Sequence, residues 1–174
     1  MFEVDHPATQ EWKRAQIANV GWTTPPNLVF APCDFETQDL LSALDTAGFD
    51  LLRPAVVSLL GVIDYLTLDA TRTTLRQLTG LAAQSEVTIS YNPPLDGTDL
   101  VAKETFEKAS PTVDATGESF LGYYRESEIE LLVRGAGFSD VIHHPLSTLN
   151  ARYFDSRPDG LRLHPIQQLL TAVV

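Results

Sequence analysis

Strand-like and helix-like segments take turns along this chain almost from its first residue, and that alternation limits the fold to few solutions. Phe2 to Asp5 reads as a short strand ending on an acid. Pro7 suits the first turn of a helix, where a missing N–H costs nothing, and Ala8 to Val20 is that helix, stopped by Gly21. Asn27 to Cys33 is a second strand, its Leu28–Ala31 run typical of a buried parallel strand. A helix over Gln38 to Ala47 follows, capped by Thr37 and stopped by Gly48. Ala55 to Ile63 is the most apolar strand and is placed centrally. Leu68 to Ala82 reads as a helix, Glu86 to Tyr91 as a strand, Glu126 to Gly137 as a helix and Asp140 to His144 as a strand. Leu146 to Phe154 is a short helix, Leu161 to Leu163 a last strand, and Pro165 to Val174 a final apolar helix. The pattern predicts one α/β domain over residues 1–174, with a mostly parallel sheet and helices on both faces.

Residues 92–124 break the rhythm with Pro93, Pro94, Gly97, Pro111, Gly117 and Gly122, around a helical piece near Leu100 to Ala109. So long an excursion after a strand reads as a lid or substrate segment.

Charge narrows the partners. With Lys and Arg at 12 against Asp and Glu at 23, the formal charge is -11, which argues against nucleic acid and against a polybasic membrane surface. A single cysteine, Cys33, excludes an intrachain disulfide framework and a four-cysteine zinc site, and its apolar strand makes it a buried thiol. The opening MFEVDHPATQ has no basic region leading into an apolar run, and the apolar stretch near Pro54 to Val62 is too short to span a bilayer. A cytoplasmic domain is expected. The sequence has no GxGxxG, no GxxxxGK[ST] and no GxSxG, which sets aside NAD enzymes, P-loop NTPases and elbow-type hydrolases. Adjacent strand residues His143 and His144 point to opposite faces and do not share a metal, so no metal site is expected.

In open α/β sheets ligands sit at the carboxyl ends of strands. The polar strand ends are Asp5, Asp34, the Ser58–Gly61 region with Tyr65 beyond it, and Tyr91–Asn92. A carboxylate after the first strand can accept from both hydroxyls of a ribose, and one after the second can accept from an adenine amino group. Plainer readings stand beside these: Asp5 as an acid at a helix N-terminus, Asp34 as a turn or cap residue, the tyrosines as packing.

Beyond periodicity, the segments FEVDHPATQEWKR, PCDF, GVIDYLT and ISYNPP resemble the leucine carboxyl methyltransferase family, and most closely its bacterial branch of S-adenosylmethionine-dependent enzymes. GESFLGYYRESEIELLVRGAGF and LNARYFDSRPDGLR look like the same branch. The resemblance implies a Rossmann-like class I methyltransferase fold and S-adenosylmethionine as cofactor. It also implies methyl transfer to an oxygen of a carboxylate or small molecule. Carried over residue by residue, Asp5 binds ribose, Asp34 accepts from the adenine amino group beside Phe35, and Leu60 and Gly61 lie at the cofactor's amino end. Leu60 stands where the eukaryotic members carry glutamate. Tyr65 and Tyr91 are implied near the methionine end or the substrate.

Family members also carry a first strand and a Gly-rich turn upstream of the position matching EVDHP, whereas this chain opens at the second strand. The absent strand belongs between those at Phe2 and Ala55, so two strand edges need covering. Direct pairing of these strands, a borrowed strand or a homo-oligomer through the edge would each close the gap; the alternative is that the biological start lies upstream of this one. The alternative to an enzyme is a non-catalytic remnant of the fold serving as an interaction module.

Overall fold

The computed structural model describes residues 1–94, 96, 120–163 and 165–174. In order, the elements are β1 (Phe2–Asp5), α1 (Pro7–Asn19), β2 (Val29–Pro32), α2 (Leu40–Thr46), β3 (Val56–Leu59) and α3 (Leu68–Leu78). Then come β4 (Glu86–Tyr91), α4 (Glu126–Ala136), β5 (Asp140–His144), α5 (Leu146–Tyr153) and β6 (Gln168–Val173). The greater part of the expected lid, including the helical piece near 100–109, lies outside the described residues, as does His164.

Capping chemistry sets the helix starts. The His6 ring accepts from Ala8 N at 3.3 Å, with Pro7 opening α1 as expected. Helix α2 is capped by Asp39, whose Oδ1 accepts from Ser42 N at 2.7 Å, so the expected cap at Thr37 is corrected. Thr37 instead donates its hydroxyl to Asp34 at 2.8 Å. Thr67 caps α3, accepting from Ala70 N, and the helix buries Ala70, Thr71, Thr74, Leu75 and Leu78 on the stripe that a 3.6-residue period dictates.

The strands fall into two sheets. β1 and β2 pair in parallel, Phe2 opposite Val29 and Asp5 opposite Pro32. The larger sheet has the order β3-β4-β6-β5, with β3 and β4 parallel and β6 antiparallel to both its neighbours. Three expectations are corrected here. The final apolar run forms strand β6 and not a helix, because Leu170 and Ala172 alternate into the core at 0% exposure while Thr171 meets Thr88 across the ladder at 3.1 Å. Leu161 to Leu163 is not a strand. β3 is not central: within its sheet it lies at the edge, and Val56 is 81% exposed.

The core gathers Leu75, Leu78, Val87, Ile89, Ile129 and Leu170, with Cys33 fully buried. Burial, with Asp34 and Asp39 nearby, pushes the Cys33 thiol up. A two-stranded sheet is marginal by itself. β1 and β2 are held by packing of Phe2 and Val4 against this core and by the edge-on contact of Phe2 with Phe49, centroids 5.1 Å apart. Among the described residues no ladder joins β1 to β3, so the direct pairing of these strands weighed from the sequence is corrected.

Candidate functional site

The carboxyl ends of β1 and β3 and the loop after β2 line one cavity of about 800 Å³. Three strand ends deliver its side chains: Asp5 from β1, Asp34 and Phe35 from the turn after β2, and Leu60 and Gly61 from the turn after β3. Gly61 turns the chain with φ +63°, a conformation that glycine adopts without a side-chain clash, and its N–H donates to Ser90 Oγ at 2.7 Å.

At β1, Asp5 Oδ1 accepts from the backbone N–H of His6 at 2.8 Å and Oδ2 accepts from Lys13 Nζ at 3.1 Å. Lys13 also donates to Glu3, and this bond, more than any other cause, raises the lysine's pKa. Gln10, buried on α1, donates to the same Glu3 carboxylate at 2.8 Å. The Asp5 carboxylate thus sits on the cavity wall in a fixed orientation, with lone pairs left for further donors. Lys13 was not singled out by sequence: it lies on α1, eight residues beyond Asp5 on β1, and the strand–helix turn brings it back to that carboxylate.

Asp34 behaves as the plainer reading holds. Its Oδ1 accepts from Glu36 N at 3.0 Å and its Oδ2 from the Thr37 hydroxyl at 2.8 Å. These bonds, Thr37 foremost, hold its carboxyl below the usual range. Glu36 ties the same loop to α3, accepting from Thr67 N at 2.8 Å and from Thr67 Oγ1 at 2.9 Å.

A second cavity of about 360 Å³ adjoins the first, and Gly61 and Tyr65 line both. The Tyr65 ring stacks on Phe120, centroids 5.0 Å apart and planes 26° from parallel. The remaining described wall is mostly apolar, from Leu146, Leu163, Ile166 and Leu169, with Asn92 and Gln167 as its amides. Asp64 lines it too. Only 1% exposed, its carboxylate accepts from Asn92 N at 2.9 Å, and its backbone carbonyl accepts from Leu121 N at 2.8 Å and Gly122 N at 3.0 Å. Burial pushes the Asp64 carboxyl up to about 6, against the opposing pull of Asn92 and of a hydrogen bond with Gln167. Sequence reading passed over Asp64, although an acid inside GVIDYL is the one charge in an apolar run.

Tyr91 is placed apart from its expected partners. It is 1% exposed in the core and lines neither cavity, and burial, with Glu126 nearby, pushes its hydroxyl up to about 12. Among the described residues no three His, Cys, Asp or Glu side chains are grouped to hold a metal ion. Nor is any described helix long and apolar enough to cross a membrane.

Residues 1–79 match the leucine carboxyl methyltransferase family. A Bacillus subtilis (strain 168) protein named "Putative S-adenosyl-L-methionine-dependent methyltransferase YktD" is 30% identical over 165 residues, which cover 92% of this chain and 53% of that protein. A Mycobacterium tuberculosis (strain H37Rv) relative with the same descriptive name is 32% identical over 165 residues, covering 91% of this chain and 53% of its own length. The resemblance read from the motifs is thereby borne out, and the chain spans about half the length of the curated relatives it matches. Among solved structures, the apo S-adenosylmethionine-dependent methyltransferase SibL superposes with a TM-score of 0.58 at 15% identity, over 99% of this chain and 42% of that one. Human N-acetylserotonin methyltransferase in complex with SAM gives a TM-score of 0.56 at 12% identity, over 99% of this chain and 39% of that one. The chain has the Rossmann-like class I methyltransferase fold, with its described strands in a two-stranded parallel sheet and a four-stranded mixed sheet.

Proposed function

We propose that this chain, similar to the leucine carboxyl methyltransferase family, holds S-adenosylmethionine in the larger cavity and serves methyl transfer to an oxygen of a carboxylate or small molecule. One observation carries the reading. Asp5, Asp34, Phe35, Leu60 and Gly61, named from separate segments of the sequence, line a single cavity at the strand carboxyl ends, with a volume suited to a cofactor.

Bound there, the cofactor supplies a methyl group on an electrophilic sulfonium centre. The residues hold and orient. Asp5, steadied by His6 N and Lys13, accepts from the ribose hydroxyls. Asp34, pinned by Thr37 and Glu36 N, keeps acceptor capacity for the adenine amino group, with Phe35 beside the ring. Leu60 and Gly61 face the amino-acid end, and Tyr65 stands where the two cavities meet, next to the acceptor. Positioning of the attacking oxygen in line with the methyl group is the main catalytic contribution of such a site.

Among the described residues β1 pairs only with β2 and β3 only with β4, and this favours a further feature of the same reading: two copies associate through the remaining edges. Light scattering at rising concentration checks this, and a species that stays monomeric contradicts it.

The cofactor reading is tested by calorimetric titration with S-adenosylhomocysteine. Micromolar binding by the 174-residue chain, lost in Asp5→Ala, supports it; no binding at millimolar ligand refutes it.

A further inference from the structure

The smaller cavity has a chemistry of its own. Its described wall is apolar on most sides, and Asp64 is the one ionisable carboxyl on it, with no Lys or Arg among its described lining residues. Among the described residues the Asp64 carboxylate is hydrogen-bonded to Asn92 N and to Gln167, and both residues line the cavity. A carboxylate offers about four acceptor sites, so Asp64 can still receive a hydrogen bond. An acceptor bearing its own carboxylate would bring a second negative charge beside the buried Asp64, with no Lys or Arg among the described lining residues to meet it. A neutral hydroxyl would instead donate to Asp64 in a charge-assisted hydrogen bond. The stacked rings of Tyr65 and Phe120 offer an aromatic surface for a flat ring.

From this juxtaposition we infer that the smaller cavity takes an uncharged, largely apolar phenol-type acceptor and that Asp64 receives the proton of its hydroxyl. The inference rests on the cofactor reading above for the reaction, and on the cavity alone for the binding. The balance is simple: as the hydroxyl oxygen bonds to the methyl carbon, the carbon–sulfur bond breaks, its electron pair stays on the sulfur, and the hydroxyl proton passes to Asp64. That proton then leaves to solvent. Burial has already raised the carboxyl to about 6, near the pH at which it would work as a base. The raised affinity for protons and the position beside the Gly61–Tyr65 junction suit the same task.

The test compares p-cresol and p-toluate, matched in ring and methyl group, by ligand-observed NMR titration of the full chain at neutral pH. The wild-type protein is expected to bind p-cresol at least about tenfold more tightly than p-toluate, since a buried like charge is costly. Asp64→Asn, which keeps an oxygen for Asn92 N, is expected to narrow that preference to about threefold or less, as its charge is gone. Ile166→Trp, which fills the cavity, is expected to abolish p-cresol binding. Equal binding of the two probes to wild type, no p-cresol binding, or an unchanged preference in folded Asp64→Asn overturns the inference. Should that variant not fold, the wild-type preference and Ile166→Trp decide. S-adenosylhomocysteine titrated into the same sample separates the two readings. Its binding without a p-cresol preference overturns only this inference, and a p-cresol preference without it overturns the cofactor reading and the proton transfer that rests on it, while acceptor binding in the smaller cavity stands.

Discussion

Replacement of Asp64 by Asn should stabilise the protein at neutral pH, and by an amount that grows with pH. The carboxyl is 1% exposed, and burial raises it from 3.8 to about 6. A folded state that binds this proton more tightly than the unfolded state is stabilised most below pH 3.8. That stability is lost as pH rises towards about 6, beyond which the loss is complete. At about 1.4 kcal/mol per pH unit, the full loss is on the order of 3 kcal/mol. Asn carries no charge to desolvate and still offers Oδ1 to Asn92 N, so the variant escapes the loss. Carboxylates held low by their partners, such as Asp34 and Asp39, titrate with the opposite sign. They are common to both proteins and cancel in the difference. Urea unfolding followed by circular dichroism at pH 4, 6 and 8 measures that difference. The gap in favour of Asp64→Asn should open by about 2 kcal/mol or more from pH 4 to pH 8. A variant less stable than wild type at pH 8, or a gap that does not change with pH, refutes the reasoning.

Other perturbations probe the rest of the account. Leu170→Ala should cost about 2–5 kcal/mol in urea unfolding, because the side chain is wholly buried in a strand flanked on both sides; a cost below about 1 kcal/mol would dispute the place of β6. A Cβ at Gly122 would press on the Ile63 carbonyl and come within 2.9 Å of the Tyr124 ring, so Gly122→Ala should lower the melting temperature measurably. Glu36→Ala strips Thr67 N and Oγ1 of their acceptor and should cost about 1 kcal/mol in the same unfolding assay. Val56→Lys should leave monomer stability within about 0.5 kcal/mol, since Val56 is 81% exposed, yet reduce self-association in light scattering.

Most of the frame was legible because its signals are local. Phe2–Asp5, Glu86–Tyr91 and Asp140–His144 are strands as read, and Pro7 opens α1 as its missing N–H requires. What failed depends on tertiary placement. The run from Gln168 to Val173 has no period that separates strand from helix; its slot between β4 and β5, with Thr171 bonded to Thr88 and His144, makes it a strand. The apolar character of Ala55–Ile63 suggested a central strand, but apolar composition does not say which neighbours a strand has, and among the described residues β3 pairs with β4 alone. The candidate site was legible through resemblance only as a set of residues: Asp5, Asp34, Phe35, Leu60, Gly61 and Tyr65, named that way, line one cavity. Tyr91 was misplaced because strand alternation turns its ring into the core. Asp64 was overlooked because its significance lies in burial beside Asn92 and Gln167, which are distant in sequence.

The most direct measurement is a crystal structure of the 174-residue chain grown with S-adenosylhomocysteine. The account predicts the ligand in the cavity between the ends of β1 and β3, with ribose hydroxyls on the Asp5 carboxylate, adenine beside Asp34 and Phe35, and sulfur facing the Gly61–Tyr65 junction. A ligand bound elsewhere, or an empty cavity at saturating ligand, would contradict it.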